Sequence, residues 1–198
     1  MDMVISFIFL FIIFLIWSIM MLKGKLNKID NDFYSKIKIT NNKTKIWKLV
    51  TLFADAKVIA VLCIVLLIFL ENKRVPIAII INMIIMWFLI GILKNTFKRE
   101  RPSKNRLVNE KGYSYPSGHT MTATIFYGFI IFLIIISNLT MPIKIIFISL
   151  LSLIILLVGY TRIYLGVHYL SDVIGAILFG SSYLLLYIFF TYFILNFI

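Results

Sequence analysis

VPIAIIINMIIMWFLIGIL at residues 75–93, followed at once by KNTFKRERP at 94–102, sets an uncharged run of nineteen residues against a densely basic one. Nineteen residues of α-helix rise about 28 Å, close to the roughly 30 Å of bilayer hydrocarbon. Lipid offers no partners to free backbone N–H and C=O groups, so such a run in a bilayer is a helix. Similar runs recur along the chain, and six spans are predicted: Met3–Leu22, Leu49–Leu70, Val75–Leu93, Met121–Leu139, Ile143–Tyr160 and Ser171–Leu195. The 198 residues are 62% hydrophobic, with a mean hydropathy of +1.02, whereas a soluble domain is nearer half apolar. The predicted fold is an all-α integral membrane protein, a six-helix transmembrane bundle forming a single domain over 1–198. No Pro/Gly/Ser-rich linker or internal repeat divides it.

The first span has a longer apolar core than a secretory signal, no basic residues before it and no small-residue cleavage site after it, so a mature helix is expected. Cys63, the single cysteine, excludes an intrachain disulfide and reads as a packing residue. The net charge is +12. Its basic residues sit in loops between apolar spans, which suits lipid phosphates and the bilayer surface. The aromatic-studded soluble platform of a single-strand binder is missing, which argues against nucleic acid as a partner. Between Lys23 and Lys48, Leu26, Ile29, Phe33, Ile37 and Ile39 are scattered among lysines and acids. Two readings stay open there: a short amphipathic helix in the headgroup layer, or a solvated loop.

Three polar blocks carry the chemistry, and they hold both histidines of the chain. The first is Lys94 with Arg101-Pro102. If the third helix continued, both cations would share a face two turns apart, although Pro102 favours a stop at Arg101. Guanidinium offers paired donors to phosphate oxygens and ammonium a mobile charge. Lys98, Arg99, Lys104, Arg106 and Lys111 surround the pair, and a basic interfacial collar would look the same. The second block, Pro116-Ser117-Gly118-His119, precedes the fourth span. A helix N-terminus has unpaired N–H groups suited to an anion. Ser117 can cap it and donate to a phosphate oxygen, Gly118 admits close approach, and an imidazolium at His119 can protonate a leaving oxygen. In the third block, Thr161-Arg162 is followed by His168 and Asp172 at i, i+4 spacing. The carboxylate can fix one ring nitrogen of His168 and leave the other free to attack phosphorus, with Arg162 reaching the same phosphate. Too few histidines and carboxylates lie near for a zinc or Mg²⁺ set, so neither metal nor other cofactor is expected.

Taken together, the blocks resemble the phosphatidic acid phosphatase type 2 superfamily, whose pattern is K-x6-R-P, P-S-G-H and S-R-x5-H-x3-D. Every spacing matches over a core from about Thr51 to Gly180, and Thr161 stands for the usual serine. The resemblance implies that His168 forms a phosphohistidine, that Asp172 orients it, and that His119 protonates the leaving group and later activates water. Lys94, Arg101, Ser117, Gly118 and Arg162 would hold the phosphoryl oxygens, without metal. The implied substrate is a membrane lipid phosphate: undecaprenyl diphosphate first, with phosphatidylglycerophosphate and phosphatidic acid as alternatives. A lipid phosphotransferase and a non-catalytic anionic-lipid carrier are the rival classes. Asp55 and Lys57 read as interfacial charges, as a border of the lipid's way in, or as partners of the basic loop; Tyr113 and Tyr115 read as headgroup-pocket or interfacial tyrosines.

The odd-numbered loops hold sixteen basic residues against three in the even-numbered ones. The positive-inside rule therefore puts the site in the cytoplasm. The resemblance implies a multi-pass cell-membrane protein with an extracytoplasmic site. That side is the expectation adopted, because a loop serving an anionic lipid has its own reason to be basic.

Overall fold

The computed structural model describes residues 2–37, 41–103, 106–194 and 196, the side chains of 41 and 42 excepted. Ile39, Lys104 and Leu195, named above, lie outside the described residues. The elements are α1 (Asp2–Leu22), α2 (Asn27–Ser35), α3 (Asn41–Thr51), α4 (Ala56–Phe69), α5 (Arg74–Phe97), α6 (Gly118–Ile136), α7 (Met141–Tyr164) and α8 (Leu170–Ile188), which runs on into a π-helical turn, Phe189–Ile194. No strand occurs among the described residues. Five helices are long and apolar enough to cross a bilayer, and the count reaches six when a bent pair is taken as one span. This is the fold of a multi-span membrane protein.

The bent pair corrects the predicted continuous span Leu49–Leu70. Residues 43–54 and 56–69 meet at 48°. Asp55 causes the break: its backbone is extended (ψ 134°) and its carboxylate accepts the Lys57 amide at 2.9 Å, capping α4. A carboxylate at an N-cap satisfies an otherwise orphaned donor, so the charge marks a helix start. Between Lys23 and Lys48 the helical reading holds, as two helices, but what packs inward is Leu26 at the cap before α2 and Asp30 within it, while Ile29 stays exposed.

α6 is the central helix, with Met121, Ala123, Ile125, Phe126 and Phe129 buried against α7 and α8. α1 packs along α8 through Phe14, Ser18 and Met21, and Trp17 Nε1 donates to the Ser171 carbonyl at 3.0 Å. The outward faces are apolar, as at Phe9 (63% exposed), Phe88 (69%) and Leu156 (60%), which suits a lipid surround. Buried hydroxyls find carbonyls across helices: Tyr127 donates to Phe53 and Tyr187 to Ala78, both at 2.7 Å. Alternating direction brings the ends of α1, α5 and α7 and the starts of α6 and α8 to one end of the bundle. There α2 lies against α8 and α3 against α7.

Candidate active site

The site is built at that end from helix termini and two loops. α5 stops at Phe97 because Lys98 takes a left-handed backbone (φ 47°) as its C-cap. The helix thus ends before Arg101, and Lys94 and Arg101 do not share a helical face as one reading expected. Instead the chain turns back, with Ser114 N donating to the Arg99 carbonyl at 2.8 Å. This return carries Arg101 to the third block. Lys94 remains on the last turn of α5, its Nζ 3.8 Å from where a Cβ on Gly118 would sit.

The loop after α7 turns at Gly166, whose φ of 71° suits a residue without a side chain. The amides of Val167 and His168 both donate to the Arg162 carbonyl at 3.2 Å, and Leu107 N donates to the Leu165 carbonyl at 3.0 Å. Loops three and five are therefore stitched together. His168 is buried (1% exposed). Its Nδ1 lies 3.4 Å from Asp172 Oδ2, and its Nε2 lies 3.1 Å from a terminal nitrogen of Arg101. Guanidinium can only donate, so Nε2 is the acceptor and Nδ1 carries the proton toward Asp172. Burial pushes the His168 ring down to about 4 against the opposing pull of Asp172, which fits a neutral imidazole. Asp172 Oδ2 also accepts the Tyr169 amide at 2.9 Å, in a capping box at the start of α8.

Arg101 also donates to the carbonyls of Gly112 (2.9 Å), Val167 (3.0 Å) and Lys111 (3.1 Å). Arg162, on the last turn of α7 and 2% exposed, donates to Thr51 Oγ1 at 2.9 Å and to Glu110 Oε1 at 2.5 Å. Its Nε is buried without a partner. Burial alone would raise the Glu110 carboxyl, but Arg162 outweighs it and holds Glu110 below its ordinary value. His119, on the first turn of α6, lies in the electrostatic reach of Arg162, Glu110, His168 and Asp55.

Ser117 occupies the cap position of α6, but its hydroxyl pairs with Thr120 Oγ1 at 2.9 Å and caps no amide. Its own amide donates to the Asp172 carbonyl at 3.1 Å, which docks the second block on the third. Thr161 turns its hydroxyl to the Val158 carbonyl at 2.7 Å, within its own helix. Tyr115 is no headgroup residue. It is fully buried between Phe14 and Phe97, and a Cβ on Gly175 would run into its ring.

The structure thus brings Lys94, Arg101, Gly118, Ser117, His119, Arg162, His168 and Asp172 to one end of the bundle. Sequence reasoning missed Glu110 and Thr51, which engage Arg162, and a network behind Asp172. In that network Arg99 donates to Asp172 Oδ1 (2.6 Å), Ser171 Oγ (2.6 Å) and Asp30 Oδ2 (2.7 Å). Arg99 had counted only as one cation of a collar, and an acid among lysines gave Asp30 no signal. Among the described residues no three His, Cys, Asp or Glu side chains gather to hold a metal ion.

Three comparisons bear on this arrangement. Phosphatidylglycerophosphatase B of Bacillus subtilis (strain 168) is 37% identical over 91 residues, which span 45% of this chain and 44% of that protein. The crystal structure of a transmembrane PAP2-type phosphatidylglycerolphosphate phosphatase from Bacillus subtilis superposes with a TM-score of 0.85 at 23% identity, over 98% of each chain. Aquifex aeolicus LpxE does so at 0.65 and 24% identity, over 80% of this chain and 94% of that one. At those identities the two superpositions establish the fold. The sequence pattern of the PAP2 superfamily matches residues 75–195, from the start of α5 past the end of α8 and through all three polar blocks, and the chain belongs to that superfamily.

Proposed function

We propose that this chain is a membrane lipid phosphate phosphatase that works through a phosphohistidine at His168, without a metal ion. The observation that carries the reading is the state of His168: a buried, neutral imidazole with Nδ1–H on a carboxylate and Nε2 on a guanidinium. An incoming phosphoryl group competes for the Arg101 donors and so frees the Nε2 lone pair. Nε2 then attacks phosphorus in line. A P–N bond forms as the P–O bond to the lipid breaks, and His119 as imidazolium gives the leaving oxygen its proton. In the second half, neutral His119 takes a proton from water. The hydroxide attacks phosphorus, the P–N bond breaks, and inorganic phosphate departs with His168 neutral again. Lys94, Arg101, Arg162, Ser117 and the N–H groups at Gly118 stabilise the charge on the equatorial oxygens.

For the lipid, we put phosphatidylglycerophosphate first, because the Bacillus subtilis relative carries that substrate in its name. Undecaprenyl diphosphate, favoured by the short loops, comes second. An aromatic groove of about 530 Å³, lined by Phe33, Ile37, Ile46, Trp47, Tyr160 and Tyr164, runs beside the last turns of α7 and suits a lipid near its headgroup. The extracytoplasmic side is the one we propose for the site. The deciding assay is phosphate release in EDTA from phosphatidylglycerophosphate, undecaprenyl diphosphate and phosphatidic acid, with His168→Ala in parallel. Release that survives EDTA and disappears in the variant supports the mechanism, and the ranking names the lipid. Release by the variant at the wild-type rate overturns it. No release from any lipid by either protein turns the reading toward a transferase or carrier.

A further inference from the structure

We propose that Arg99, gripped by Asp30 of α2, is the positioning residue that holds the Asp172 carboxylate in the orientation His168 requires, which makes α2 a working part of the site. The inference rests on the reading of His168 and Asp172 as the reacting pair.

Asp30 is an acid at 2% exposure in a short polar helix. Such burial is costly unless both oxygens are satisfied. Here Oδ1 accepts the Ser171 amide at 2.8 Å, and Oδ2 accepts the Ser171 hydroxyl at 2.6 Å and Arg99 at 2.7 Å. The guanidinium is thereby fixed in its own plane. Its flat face lies over the Tyr169 ring, 4.2 Å from the centroid, which fixes it from the third direction. From this seat it holds Asp172 Oδ1, while Oδ2 takes the Tyr169 amide and faces His168. The carboxylate cannot rotate without breaking contacts at both oxygens. A lysine could not replace this fork, because one ammonium cannot span Asp30, Ser171 and Asp172 in a plane.

The charge balance gives a second consequence. Burial alone would lower the Arg99 pKa, yet Asp172 and Asp30 together raise it, so the cation is permanent. Asp172 thus spends part of its field on Arg99. Without Arg99 its remaining attraction would fall on His168 and favour an imidazolium, which has no lone pair with which to attack. The other charged or titratable groups that face this pair are Arg101 from the loop, Arg162 from α7, His119 from α6, Lys94 from α5, and the phenols of Tyr169 and Tyr115 beside Asp172.

The test uses the full chain in mixed micelles with phosphatidylglycerophosphate as substrate and inorganic phosphate as a ground-state ligand of the phosphate-holding cations. Arg99→Ala, Arg99→Lys and Asp30→Asn are each expected to lower kcat about 10- to 100-fold, the range typical of lost outer-shell partners. KM and the inhibition constant for inorganic phosphate should stay within about twofold, because the phosphate-holding cations are intact. Arg99→Ala/Asp30→Asn should be no slower than Arg99→Ala alone, since the two act as one unit. The acidic limb of kcat/KM should move to higher pH in Arg99→Ala. Weaker phosphate binding at unchanged kcat would make Arg99 a phosphate holder and overturn the proposal. So would losses that multiply in the double variant, or wild-type kcat in Arg99→Ala. If Arg99→Ala does not fold, Arg99→Lys and Asp30→Asn decide the question by the same criteria. Activity in a parallel His168→Ala sample would instead overturn the phosphohistidine reading itself.

Discussion

Removing the carboxylate that Arg162 now holds should tighten the site for phosphate. Glu110 Oε1 accepts from Arg162 at 2.5 Å, with the Glu110 side chain 31% exposed and the guanidinium almost wholly buried. A phosphoryl oxygen that uses the same donor must first displace this anion. A hydrogen bond to a charged group is worth about 1.5–3 kcal/mol when buried, and the partial exposure of Glu110 puts this one near the lower bound, about 1.5 kcal/mol. Glu110→Gln keeps the shape and a weak acceptor but loses the charge, so inorganic phosphate should inhibit roughly tenfold more strongly, tenfold being about 1.4 kcal/mol. The assay is product inhibition at neutral pH. Glu100→Gln serves as the control, because it removes the same charge from an exposed position in the same loop. An inhibition constant that is unchanged or weaker in Glu110→Gln would refute the reasoning. It would mean that Glu110 sets the pose of Arg162 and does not compete with phosphate for it.

Other tests reach the scaffold, the titration and the sidedness. Ser18 donates to the Phe14 carbonyl at 2.8 Å, so the 2.8 Å contact with Tyr115 has the tyrosine as donor. Ser18→Ala orphans a buried phenol at a cost of about 1–3 kcal/mol and Tyr115→Phe loses one satisfied bond at about 1 kcal/mol, an order that unfolding in detergent can check. His168 binds its proton near 4 in the folded chain and 6.5 is its ordinary value, so its stabilising contribution is lost as pH falls through that window. Wild-type Tm should therefore drop more steeply than that of His168→Gln over the same range; parallel slopes would refute a buried neutral ring. Asn31→Cys on exposed α2, in a Cys63→Ser background, should react with a membrane-impermeant maleimide on intact cells. Labelling only after lysis would put the site in the cytoplasm.

Most of the spans were legible because hydropathy alone decides which segments lipid tolerates, and the three polar blocks stood out because charged groups are rare against such a background. What escaped were partnerships across the chain. Asp30 and Arg99 are 69 positions apart, and each sits among like-looking charges, so neither spacing nor composition pairs them. Asp55 read as an interfacial charge because a cap and a snorkelling acid look alike until the backbone is known. Tyr115 misled for the opposite reason. An aromatic beside a polar block suggests a headgroup, whereas the room left by Gly175 makes it a core residue. Ser117 sat at the predicted cap position, but Thr120 offered its hydroxyl a nearer partner.

The break at Asp55 reaches beyond the protein. α4 has 14 residues, a rise of about 21 Å against roughly 30 Å of hydrocarbon. Its start lies at the site end, and charged Glu71, Lys73 and Arg74 follow its other end. A lipid leaflet beside so short a wall relieves the mismatch by thinning, at a cost of fractions of a kcal/mol per Å. Headgroups next to α4 are then expected to lie nearer the plane of His119 and Arg162 than elsewhere around the bundle. The bent helix is thus expected to shape the bilayer as well as the bundle, and a dimple beside it would shorten the climb of a lipid head toward His119 and Arg162.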